Sequence, residues 1–153
     1  MNASTKSLQS AVAHYFEDRG NFGVEDYLHA YGDPRQALLL YRLFFPQFAA
    51  VDGHVVLASR IDVPGEPDGL RRRLRDEDRP PCELLEGYRW TEVPYEFANS
   101  SLSDEHDELL ACLLARAWKA ALMSEFPDRT WETAVLSTSV TGSVVGLCFR
   151  EAV

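Results

Sequence analysis

This sequence of 153 residues is short of the features that announce a function. It has three cysteines, Cys82, Cys112 and Cys148, an odd and widely spaced set. Such a set builds no disulfide framework and no zinc knuckle. It has no apolar run near the roughly 20 residues that a membrane span needs. Its first ten residues are polar and lack the apolar stretch of a signal peptide, so a cytoplasmic location is expected. HExxH, Gly-x-Gly-x-x-Gly and the P-loop pattern are all missing, which removes the usual sequence support for a zinc hydrolase or a nucleotide-binding site. Gly142-Ser143-Val144-Val145-Gly146 has the wrong spacing for a nucleophile elbow, and it leads from a turn into a strand rather than from a strand into a helix. Positive charge is scarce: 15 Lys and Arg against 24 Asp and Glu leave a formal net charge of −9. Such a surface repels phosphates, so neither nucleic acid nor an anionic membrane is an expected partner. No cofactor or metal is expected.

What is present is an ordinary globular composition, 46% hydrophobic and 25% charged. A chain of this length can bury a core without covalent staples. One domain over residues 1–153 is expected, with residues 62–81 forming a loop-rich excursion that holds a short helix from Pro67 to about Asp76. That stretch is dense in proline, glycine and charge.

The last third is the most legible part. Residues 101–126 read as a long helix and 130–150 as a hairpin. From Leu109 to Met123 the only charges are Arg116 and Lys119, so this helix is expected to be largely buried, on two sides. Trp131, Thr133 and Val135 alternate with Glu132, Ala134 and Leu136, and Val145, Leu147 and Phe149 repeat the alternation on the return strand.

Upstream, Leu8, Ala11, Val12, Tyr15 and Phe16 recur at helical spacing, which predicts a first helix from about Ser4 to Asp18. Val24, Tyr27, Leu28 and Tyr31 mark a second helix ending at Gly32, where a positive φ is expected. Asp33-Pro34 caps and starts a third helix, and its dense leucines predict that it too is well buried. Asp52-Gly53 lies between apolar runs and predicts a tight hairpin over residues 48–59. The stretch 88–97 is aromatic and of high β-propensity, with Pro94 confining it to an edge strand or an irregular segment. Together these signals predict an α+β fold. Its antiparallel sheet of about four to five strands, two hairpins and an edge strand, packs on a helical layer.

Candidate chemistry is thin. His106 falls in line with Leu102, Leu109, Leu110 and Leu113 on a helical wheel, beside Glu105 and Asp107, and is the one candidate for a general base. The simpler reading is a histidine at a helix entrance among acids that favour the positive end of the dipole. Arg71, Arg72, Arg73 and Arg75 stand among acids, and pairing of Arg72 with Asp76 and Arg73 with Glu77 predicts a solvated face. Cys112 and Cys148 are expected to be buried small hydrophobes. Tyr88, Trp90, Tyr95 and Phe97, interleaved with Glu92 and Glu96, are candidates for a partner-binding patch, though aromatics more often serve packing.

The leading expectation is a small acidic non-enzymatic domain that binds another protein, such as an inhibitor or immunity-type protein masking a basic partner. The alternatives are a small enzyme or ligand-binding domain with a pocket near the start of the C-terminal helix, and a subunit that self-associates through its edge strand or aromatic segment.

Overall fold

The computed structural model describes residues 23–76, 78–93, 104–142 and 144–152, with Ser10 and Ala13; the side chains of residues 104–106 lie outside that description. In chain order the elements are α1 (Val24–Tyr31), α2 (Pro34–Phe44), β1 (Phe48–Val51), β2 (His54–Leu57), α3 (Glu66–Asp76), α4 (Pro81–Leu85), β3 (Trp90–Glu92), α5 (Asp104–Glu125), β4 (Trp131–Leu136), α6 (Thr138–Thr141) and β5 (Gly146–Glu151). The fold is α+β, as the clustering of strands predicts. The expected helix at residues 4–18 lies outside the described residues, except that Ser10 and Ala13 are helical.

The strands do not join in one sheet. β1 and β2 pair alone, while β3, β5 and β4 form a second antiparallel sheet in that order. No single sheet among the described residues therefore reaches the expected four strands. The first hairpin turns at Asp52 and Gly53, whose φ values are 47° and 82°, the signature of the primed turn that the dipeptide predicts. Register then assigns the faces. Phe48 opposes Leu57 and Ala50 opposes Val55, while Ala49 opposes Val56 and Val51 opposes His54. Phe48, Val55 and Leu57 enter the main core, and Val51 and Val56 enter a smaller cluster with Leu70 of α3 and Leu85 of α4. Both faces of this ribbon are thus covered.

Arg89 joins the two sheets. A hairpin with a two-residue loop alternates bonded and non-bonded pairs, which leaves the Val55 carbonyl pointing away from β1. Val55 is fully buried, so that oxygen needs a donor. The Arg89 Nε supplies it at 2.8 Å. The Arg89 carbonyl accepts from the Phe149 amide at 3.0 Å, and its guanidinium lies over the Phe149 ring, 5.8 Å from the centroid. Burial pulls the Arg89 pKa below its ordinary value, with nearby Glu151 opposing the shift. Arg129 adds a second tie, donating to the Gly53 carbonyl at 2.6 Å and pairing with Glu151 at 3.2 Å.

The core of the second sheet is aromatic. Phe149 meets Phe48 at 5.3 Å and Trp131 at 6.0 Å, both edge to face, the arrangement that ring quadrupoles favour. Helix α5 packs across this face through Ala111, Leu114, Ala115, Trp118 and Leu122, a single helical stripe. Cys112, Arg116, Lys119 and Met123 run along the solvent side. The expectation of burial on two sides is corrected here: the two charges share one seam, and that seam, with Cys112 in it, faces water. Cys148 is half-buried on the outer face of the sheet, where burial raises its thiol pKa despite a backbone hydrogen bond at Ala134.

Helix α2 carries a second correction. Asp33 caps it as expected, accepting from the Arg35 amide at 2.8 Å. Yet neither α1 nor α2 contains a fully buried residue. Only Leu43 and Phe44 pack against the core, and the Trp118 Nε1 donates to the Leu43 carbonyl at 2.8 Å. Gly32 ends α1 by a different route from the one expected. Its φ is −66°, open to any residue, and the need for glycine comes from close approach: a Cβ there would collide with the Leu28 carbonyl, which accepts the Gly32 amide at 2.8 Å.

Candidate functional site

The residues singled out from the sequence are scattered. His106 and Glu105 lie in the first turns of α5, with side chains outside the described residues. Asp107 is buried on the same helix. Of the aromatic segment, Tyr95, Glu96 and Phe97 fall outside the described residues. Trp90 and Glu92 lie on the outer face of β3, opposite Cys148 and Gly146 of β5. Tyr88 turns to α3 instead. Its hydroxyl bonds the Glu66 carboxylate and accepts from Arg73, whose guanidinium lies over the Tyr88 ring, 5.6 Å from the centroid. Arg73 pairs with Glu66 at 2.6 Å, reaching back along the helix. Arg71 meets Asp68 at 2.7 Å and Asp52 at 3.5 Å. Arg71 and Arg73 therefore tie α3 to its surroundings, and Tyr88 packs against Arg73.

The prominent surface lies elsewhere. Along α1 and α2 the structure exposes Leu28 (60%), Leu38 (68%), Leu39 (69%) and Tyr41 (60%), together with Leu40 and Phe45. Single exposed apolar residues are ordinary, but a group of this size on two consecutive helices is not. Tyr41 and Phe45 stack with ring centroids 5.1 Å apart. They form one wall of a groove of about 720 Å³, whose other wall is Ala120, Ala121, Ser124 and Glu125 of α5. The sequence held a signal for this face. Leu38, Leu39 and Leu40 are consecutive, and a helix turns about 100° per residue, so three in a row cannot all point to one core.

A second depression, a cleft of about 730 Å³, lies on the other side of Pro46 and Gln47. It is bounded by α2, the 3-10 turn at Ala58–Arg60, Thr91 of β3 and Trp118 of α5. Trp118 is twelve residues beyond His106, roughly 18 Å along the helix axis. The cleft is thus beside the middle of α5, away from its start.

Among the described residues no group of three or more His, Cys, Asp or Glu is arranged to hold a metal ion, and no helix is long and apolar enough to cross a membrane. The chain matches no known protein family, and no curated protein or solved structure is significantly similar to it.

Proposed function

We propose that this chain is a protein-binding domain of the inhibitor or immunity type, which seats an amphipathic helix of a basic partner on the α1–α2 face. One observation carries the reading: Leu38, Tyr41 and Phe45, all exposed, stand at i, i+3 and i+7 and form one apolar stripe along α2 to its C-cap. Leaving that much hydrocarbon in water forfeits stabilisation of about 25 cal/mol per Å² that burial supplies, and a partner recovers it. The groove between α2 and α5 accepts protruding apolar side chains, which is how helix-in-groove recognition is anchored. The chain's net charge of −9, with Glu125 on the groove wall, favours positive charge around those anchors and speeds encounter with a basic protein.

The test pairs the native chain with a Leu38→Asp, Tyr41→Asp variant. Both side chains are mostly exposed, so the variant is expected to fold with unchanged helical circular dichroism. The native chain is expected to capture a basic protein from host lysate, with an on-rate that falls steeply as salt rises, and the variant to release it. Capture that survives both substitutions overturns the assignment of this face. A concentration-dependent dimer of the native chain, lost in the variant, replaces the foreign partner with a second copy.

A further inference from the structure

The cleft beside Trp118 has a character opposite to that of the molecule around it. Its walls include Leu39, Leu57 and Trp118, all apolar, with Arg42 and Arg60 as cations and Asp62 as the one carboxylate. Two guanidiniums against one carboxylate leave a local charge of +1 (2 − 1) on a chain whose total is −9. Leu39 is 69% exposed and supplies the accessible apolar wall, while Leu57 and Trp118 are almost wholly buried and close the bottom. The Trp118 indole N–H is already satisfied by the Leu43 carbonyl, so it leaves no unmet donor at the bottom of the cleft.

The two arginines are set by the fold. Arg60 follows the 3-10 turn after β2 and donates through Nη2 to the Trp90 carbonyl at 3.1 Å, which lays its guanidinium across the start of β3. Arg42 projects from α2 and reaches Gln47 Oε1 at only 3.5 Å, a weak bond. A guanidinium carries several N–H donors in a planar fork, and these bonds use one from each. The remaining donors suit a carboxylate, which matches that fork in shape. The volume falls within the roughly 300–1,000 Å³ typical of small-molecule sites.

We propose that this cleft binds a monoanionic amphipathic carboxylate, its hydrocarbon along the exposed Leu39 and its carboxylate between Arg42 and Arg60. A single net positive charge matches a monoanion, and the exposed Leu39 wall favours an occupant with hydrocarbon over a bare ion. The cleft takes Leu39 from the exposed group on α2 but uses none of Leu38, Tyr41 and Phe45, so the Leu38→Asp, Tyr41→Asp variant tests the protein surface separately.

Octanoate is the probe, titrated into the full chain and followed by calorimetry and by the shift of amide resonances. Saturable one-to-one binding is expected, with the largest shifts at residues 57–62 and 91. Arg42→Gln and Arg60→Gln are each expected to weaken it about tenfold or more, as loss of a charge-assisted bond does. Arg150→Gln, at an exposed arginine on the second sheet, leaves it unchanged. Octanol, which keeps the chain but lacks the charge, binds at least tenfold more weakly, and inorganic phosphate does not displace octanoate. Leu39→Trp narrows the cleft while keeping both arginines, and it abolishes binding without loss of thermal stability. No saturable binding in the millimolar range, equal affinity for octanol, or octanoate binding unchanged when both arginines are replaced overturns the proposal.

Discussion

Replacing Arg89 by methionine tests how the two sheets are held together. Methionine keeps the length and much of the apolar volume of the side chain but removes its donors. The Val55 carbonyl, on a fully buried residue and turned away from β1, then loses the Nε bond of 2.8 Å. An unsatisfied buried acceptor costs about 1–3 kcal/mol. Loss of the cation over Phe149 adds about 0.5–1 kcal/mol, and relief of the desolvation that depresses the arginine pKa offsets part of the sum. A net destabilisation of about 2–3 kcal/mol is expected, or a fall in Tm of roughly 4–12 °C for a chain of this size. Urea titration followed by tryptophan fluorescence measures it, with a shifted midpoint and an unchanged slope. Arg150→Ala is the matched control. Its ion pair with Glu132 is short, 2.6 Å, but exposed, and such pairs contribute about 0–1 kcal/mol. Should Arg89→Met cost no more than Arg150→Ala, the idea that a single buried donor links the sheets is wrong.

Three further predictions rest on local geometry. Gly32→Ala is expected to destabilise the α1–α2 corner by about 1–3 kcal/mol through overpacking, seen as faster amide exchange in α1; because φ is −66°, Gly32→Asn gives no rescue, and a stabilised or partly rescued variant contradicts the close-approach explanation. Cys82 and Cys112 are exposed and Cys148 half-buried, so a thiol reagent is expected to modify the first two before the third. Burial raises the Cys148 pKa above its ordinary value, so the folded state holds this proton more tightly than the unfolded chain. Its contribution to stability is full below the unfolded value and is lost as pH rises through the folded one. Native-state titration from pH 8 upward is expected to show a decline in stability that Cys148→Ala reduces; an identical slope in both proteins removes the assignment.

Local physics made part of this fold legible in the chain. Asp52-Gly53 specifies a primed turn because those residues tolerate positive φ, and the observed φ values of 47° and 82° bear that out. Asp33-Pro34 specifies a helix start because a carboxylate caps the amide of Arg35. The alternation from Trp131 to Val135 and from Val145 to Phe149 specifies a two-stranded pairing, and Trp131, Val145, Leu147 and Phe149 are buried. Each of these depends on residues a few positions apart. Burial of a helix depends on what other elements bring to it, so the leucines of α2 look the same in the sequence whether they meet a core or water. The tie between the two sheets rests on Arg89 meeting Val55 across 34 positions, and the cleft is lined by Arg42, Arg60 and Trp118 from three separate segments. Short-range patterns therefore determined the elements and the α+β class. Only the tertiary structure decided which faces are covered and which side chains meet, because those depend on contacts between distant segments that no local periodicity encodes.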